Sequence, residues 1–290
     1  MRAGQRLSAT TRGGTARRTP CVRAVLNLCI GWLLMVPLSG IAVAEGAELN
    51  QAATMDPETV DAKALVAEAI DLMRGIDNSY AEMTMLIKRP SWQRESSLKS
   101  WTRGREDALI RFTAPARDAG NALLKLGERM WTYNPKLNRS IRLPGGMMSQ
   151  SWAGSDFSYS DMSRSDNWLR YYRLEHVATK FREGHKEYTI DAFPLDDAPV
   201  VWGKERLILR DDFVLLRSTY FDQDMLPVRE MQTLAVAQMG GRLLATHLRM
   251  QDVETADQYT EIRYTDVSFD GAVQDRLFTV FSLQSGGKEG

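Results

Sequence analysis

The chain has 290 residues, its 37 basic and 37 acidic side chains cancel, and 43% of it is hydrophobic, seven tryptophans included. That apolar content excludes a disordered chain and suffices for the core of one large domain. The charges are uneven: residues 1–44 carry six arginines and no acid, so the other 246 residues hold 31 basic against 37 acidic groups, a net charge of −6. A mildly acidic body argues against nucleic-acid binding through a broad basic surface.

The head reads as an export signal. Basic residues end at Arg23, an apolar stretch runs from Ala24 to Ile41, and Ala42-Val43-Ala44 supplies the small-x-small pattern of a cleavage site before Glu45. The competing reading is a permanent anchor, because about 18 apolar residues just reach across a bilayer. Pro37 and Gly40 break such a helix close to the cleavage site and favour the signal. The expectation is a signal peptide over 1–44, cleaved after Ala44, a polar leader over 45–56, and a mature protein in the periplasm. Both cysteines, Cys21 and Cys29, lie in the head, so the processed protein has no thiol nucleophile, disulfide or cysteine metal site.

One helix follows, with Asp56 as cap, Pro57 in the first turn and Gly75 at the C-terminal end. Val60, Ala64, Ala67, Ile70 and Met73 recur at spacings of three and four and predict an apolar stripe. From Tyr80 the period changes to two: Ala81, Met83, Met85 and Ile87 alternate with polar residues, as in a half-buried strand. Similar runs occupy about 96–103, 105–113, 121–127, 128–134 and 138–143. A second series follows at 174–182, 186–193, 202–210, 213–221, 227–238, 242–251 and 257–267. Tight turns such as Glu183-Gly184-His185 and Gly240-Gly241 join them, which makes neighbours antiparallel. So many strands exceed what a flat open sheet tolerates. The predicted fold is mainly β with helices: a strongly curved antiparallel sheet or incomplete barrel with helices on its inner face. It forms a single domain over 57–284, with 285–290 as a flexible tail.

Residues 144–172 interrupt the meander. Gly145-Gly146 precede Met147 and Met148, and Trp152, Phe157, Tyr159, Met162 and Trp168 follow among serines and glycines. Two readings stand: a plug that fills the core, and a movable lid over an apolar cavity, for which methionine's flexible thioether is suited.

Catalytic chemistry leaves little trace. His176, His185 and His247 have no metal-ligand spacing, so no metal is expected. Ser96-Ser97-Leu98-Lys99 matches Ser-x-x-Lys on a predicted strand rather than a helix start, and no nucleophile elbow, P-loop or dinucleotide fingerprint occurs. Acids such as Asp211-Asp212 and Asp222/Asp224 occupy turns, where solvation explains them. No catalytic residue and no cofactor is expected.

Several segments form an ordered set that spans about residues 80–284: Ile110-Arg111-Phe112-Thr113-Ala114-Pro115-Ala116 with Gly120 and Leu123-Leu124, then Met130-Trp131-Thr132-Tyr133-Asn134-Pro135 with Arg139 and Arg142. Gly154-Ser155-Asp156-Phe157-Ser158-Tyr159-Ser160-Asp161-Met162 and Asp275-Arg276-Leu277-Phe278 complete it. The set resembles the periplasmic outer-membrane lipoprotein-sorting proteins, in the larger branch of the LolA-like superfamily. The resemblance implies a half-barrel of about 11 strands closed by lid helices, holding acyl chains of lipoproteins or other lipids as they cross the periplasm.

The working expectation is a lipid or lipoprotein carrier that delivers toward the outer membrane. Its partners would be an inner-membrane transporter and an outer-membrane acceptor. The alternatives are a sensor or adaptor for a membrane transporter or signalling protein, and a lipid hydrolase. For a carrier the site is an apolar surface, with Met83, Met85, Trp101, Trp131, Tyr133, Met147, Met148, Trp152, Phe157, Tyr159 and Trp168 as its candidate lining. The strand residues among them equally suit plain core.

Overall fold

The computed structural model describes residues 60–163, 167–196, 198, 200–255 and 257–284. The signal peptide, the leader with Asp56 and Pro57, and the 285–290 tail lie outside the described residues. The first helix, α1, spans Ala62–Arg74. Its cap is Asp61 rather than Asp56: the Asp61 carboxylate accepts the N–H groups of Lys63 and Ala64 at 2.9 and 3.0 Å, two of the donors a helix start leaves open. At the other end Gly75 has φ of +77°, and a Cβ there would stand 2.5 Å from the carbonyl oxygen of Asn78, so only glycine fits.

The buried face of α1 also differs from the expected stripe. Ala62, Val66, Ala69 and Ile70 are buried, whereas Ala64 is exposed. Repeated steps of three fall short of a full turn by about 60° each, so the expected set spirals around the helix. The observed spacing of four, three and one keeps to one side. That side packs on Ile190, Leu207 and Leu209 of the sheet.

Each alternating run becomes a strand, so the sheet has thirteen strands where the resemblance implies about 11. The first six are β1 (Asn78–Arg89), β2 (Trp92–Arg103), β3 (Asp107–Ala114), β4 (Ala122–Leu126), β5 (Arg129–Asn134) and β6 (Arg139–Arg142). Two short helices follow, α2 (Tyr159–Ser163) and α3 (Asn167–Tyr171). The second series is β7 (Tyr172–Arg182), β8 (His185–Pro194), β9 (Lys204–Arg210), β10 (Leu215–Phe221), β11 (Pro227–Met239), β12 (Arg242–Asp252) and β13 (Tyr259–Phe269), and α4 (Val280–Gln284) closes the described chain.

Every pairing is antiparallel, and the order runs β6-β5-β4-β3-β2-β1-β13-β12-β11-β10-β9-β8-β7. The sheet is curved and does not close into a barrel. Its edges are β6 and β7, which are consecutive in sequence. The connection between them, residues 143–171, therefore has to cross from one edge of the sheet to the other. The topology makes it a strap.

Alternation assigns the two faces. On β1, Ser79, Ala81, Met83, Met85 and Ile87 are buried on the concave side, and Tyr80 and Glu82 point the other way. The convex side of β2–β5 is closed by the C-terminal segment, where Trp101, Leu109, Leu124 and Tyr133 pack with Phe278 and Leu283. The convex side of the second half instead carries charged ladders. Asp191 binds Lys204 at 3.1 Å and Arg206 at 2.6 Å, and Glu261 binds Arg249 at 2.6 Å and His247 at 2.9 Å.

Candidate functional site

Between the concave face, α1 and the strap lies a cavity of about 310 Å³. Its floor is built by alternation: Ala81 and Met83 on β1, Ile110 on β3, Leu207 and Leu209 on β9, Leu244 and Met250 on β12 and Ile262 on β13. Val66, Ile70 and Met73 of α1 and Trp152, Phe157, Met162 and Trp168 of the strap cover it. The wall is apolar except in two places. At the C-terminal end of α1, Arg74, Ser79, Ser100, Thr102 and Tyr264 contribute. Ser79 and Thr102 satisfy one another at 2.7 Å, and burial lifts the Tyr264 hydroxyl above the usual tyrosine range, with the Arg74 charge pulling it back in part. Beneath the strap, Asp161 and Ser218 contribute, and the Ser218 hydroxyl is buried without a hydrogen-bond partner.

The strap folds on itself first. Trp152 donates its N–H to the Phe157 carbonyl at 2.7 Å, Ser160 donates to the Met148 carbonyl at 2.7 Å, and Ala153 and Gly154 turn the chain with positive φ. This puts Trp152 and Phe157 on one side, facing the sheet. Two arginine–carboxylate pairs then fasten it. Arg89 at the end of β1 binds both Asp156 oxygens at 3.0 and 3.1 Å, and Thr260 adds a bond of 2.7 Å. Arg229 on β11 binds both Asp161 oxygens at 2.9 and 2.8 Å and lies over the rings of Tyr220 and Trp202. The Asp161 side chain is 3% exposed and that of Arg229 9%, so solvent screens this pair little. Further along, Trp168 and Tyr172 donate to the fully buried Glu205 at 2.8 and 2.5 Å.

Of the expected lining residues, Met83, Trp152, Phe157 and Trp168 border the cavity. Met85 is buried in the adjoining core, and Met147, Met148 and Tyr159 pack against that core from the strap. Met148 also borders a separate cleft with Arg170 and Tyr171, and burial raises the Tyr159 hydroxyl above its usual range. Trp101, Trp131 and Tyr133 do not reach the cavity. Trp101 alternates with Ser100 and Thr102, which face it, so the indole points to the convex side. Trp131 and Tyr133 flank the positions of β5 that face inward in the same way, and they pack under the C-terminal segment.

The arginine latches had no motif in the sequence. Their signal was the pair of acids, Asp156 and Asp161, in an otherwise uncharged stretch from 144 to 163. Among the described residues, no group of three or more His, Cys, Asp or Glu side chains could hold a metal ion. The histidines stand on Thr179, Asp211 and Glu261, away from the cavity lining.

A family model described as "Uncharacterized protein" matches residues 104–285. No curated protein matches. Among solved structures, a DUF1329 family protein from Desulfovibrio piger superposes with a TM-score of 0.69 at 22% identity, covering 79% of this chain and 100% of that one. A domain described as that of an outer membrane lipoprotein-sorting protein, from Vibrio parahaemolyticus, gives 0.68 at 19% identity, with 77% and 98% covered. A LolA superfamily protein from Nitrosomonas europaea gives 0.65 at 17% identity, with 77% and 99% covered.

Proposed function

This chain belongs to the family whose model spans residues 104–285 and has the LolA-like fold, and from these premises we propose that it carries lipid or lipoprotein acyl chains across the periplasm toward the outer membrane. One observation supports this above the others: a curved sheet and its strap enclose an apolar cavity in the core of the domain. A well-packed interior leaves few voids larger than a water molecule, so an apolar space of about 310 Å³ calls for an occupant. That volume lies at the lower end of ligand pockets, which run to about 1,000 Å³, and suits one slender chain.

The physics of holding such a chain needs no covalent step. Each methylene removed from water contributes about 0.8 kcal/mol, so a long acyl chain is retained firmly by burial alone. Movement of the strap, whose Trp152, Phe157, Met162 and Trp168 cover part of the cavity, would widen the way in and out. Its two arginine–carboxylate fastenings can open without dismantling the apolar floor. The strap is thus the lid, and binding rather than catalysis is the activity. The export signal expected at residues 1–44 places the carrier in the periplasm, and no described helix is long and apolar enough to cross a membrane.

The test is titration with a fluorescent fatty acid. Saturable binding with chemically unchanged ligand is expected from the folded protein, and Phe157→Asp should abolish it by putting a charge into the cavity roof. Absence of binding to any amphiphile, or conversion of the ligand to product, would overturn the carrier reading.

A further inference from the structure

One rim of the sheet combines exposed apolar side chains with acids. It consists of the β8–β9 loop (195–203), the β10–β11 turn (222–226) and the β12–β13 loop with its preceding residue (252–258). These form one surface. Gly203 donates its N–H to the Phe221 carbonyl at 2.9 Å, the Gln223 amide donates to the Val201 carbonyl at 3.1 Å, and Val253 donates to the Val228 carbonyl at 3.0 Å. Five apolar side chains stand out from it: Leu195 at 44% exposure, Val201 at 55%, Met225 at 48%, Leu226 at 61% and Val253 at 45%.

The described residues of these three segments include six acids and no lysine, arginine or histidine. Asp196, Asp224, Asp252, Glu254 and Asp257 are exposed, and among the described residues none of them forms an ion pair. Asp222 is occupied in its own turn, accepting from Asp224 and Leu226 at 3.0 and 2.9 Å. Two cations just inside the rim are already committed, Arg229 to Asp161 and Lys204 to Asp191.

Clustered unpaired acids repel one another, and exposed apolar tips gain by leaving water. A bilayer would satisfy the apolar tips alone, because anionic headgroups repel the carboxylates. The occupant that satisfies both is a protein segment bearing basic and apolar side chains together. We propose that this rim is the docking surface for a basic amphipathic segment of a partner protein.

The rim also touches the strap's fastening. Trp202, in the β8–β9 loop, lies against the Arg229 guanidinium at 4.8 Å, and Arg229 holds Asp161. A partner seated on the loops is therefore one side chain from the latch. The proposal goes beyond the carrier reading and does not depend on it, since the surface is present whatever the cavity holds.

The test uses a fluorescein-labelled amphipathic peptide with a lysine face and a leucine face, and its counterpart with glutamate for lysine, in anisotropy titrations at about 0.15 M salt. The lysine peptide should bind saturably and the glutamate peptide should not. Asp224→Lys/Glu254→Lys/Asp257→Lys and, separately, Met225→Ser/Leu226→Ser should each weaken binding about tenfold with the melting temperature unchanged. Should the triple variant fold poorly, Asp224→Asn/Glu254→Gln serves in its place. Equal binding of both peptides, an unchanged affinity in either variant, or binding of anionic vesicles as tight as that of the lysine peptide would overturn the proposal. Fatty-acid titration of the same preparations reports separately on the cavity.

Discussion

On the concave side of β1–β3 the strap lies over Met83 and Ile110; on the convex side of the same strands the C-terminal segment lies over Trp101 and Leu109. The first cover leaves a cavity of about 310 Å³ and is fastened by Arg89–Asp156 and Arg229–Asp161. The second rests mainly on apolar packing: Phe278 is 4% exposed and Leu283 fully buried, against Leu124, which is fully buried too, while its Arg103–Asp275 pair at 2.8 Å is solvent-exposed. A cover held by ion pairs can exchange them for water when it lifts. A cover held by apolar packing loses burial along its whole length. On the proposed carrier reading, the strap is the cover that lifts and the C-terminal segment the one that stays.

The largest effect should come from cutting a fastening. Asp161→Ala leaves the Arg229 charge buried without its carboxylate, and a loss of about 3–5 kcal/mol is expected in denaturant melts. The distinguishing result is regional: amide exchange should accelerate over 148–163 while β4 and β5 keep their protection. A uniform loss across both covers would erase the difference between them.

Leu124→Ala tests the other face. Truncating a fully buried leucine under the C-terminal segment should cost about 2–5 kcal/mol, with fatty-acid affinity unchanged in the protein that remains folded. If affinity falls in step with stability, the two faces are not independent.

The smallest effect concerns the bare convex ladders of the second half. Burial alone would raise the Asp191 carboxyl, but hydrogen bonds from Arg206 and Lys204 outweigh it and hold its pKa below the usual aspartate value. A depressed pKa means that the unfolded chain takes up the proton first, so this stabilisation is full above about pH 4 and is lost as pH falls below it. Wild type should therefore melt above Asp191→Asn at pH 7, and the gap should close on acidification toward pH 3. A gap that persists in acid would contradict the ionic account.

Much of this architecture is legible in the sequence because strands declare themselves by a period of two. Each run from Tyr80 to Val267 became a strand, and the turn residues fixed its partner. The helix was harder. Val60, Ala64 and Ala67 form an apolar series that competes with Ala62, Val66 and Ala69, and only packing against Leu207 and Leu209 chooses between them. The lining was harder still. Alternation tells that Trp101 and Ser100 face opposite ways, but not which way is inward, so tryptophans of the convex plug looked as suitable as those of the strap. The pairing of Asp156 with Arg89 joins residues 67 apart, and no local pattern encodes it.

The central claim is that the concave cavity holds an acyl chain. Mass spectrometry of intact protein purified from the periplasm, followed by analysis of the extracted ligand, tests it most directly. The account predicts one acyl-bearing molecule per chain, and its loss in Ala81→Phe, which fills the floor beside Met83 while the fold is retained. A wild-type protein free of lipid, or lipid retained at full stoichiometry in folded Ala81→Phe, would contradict it.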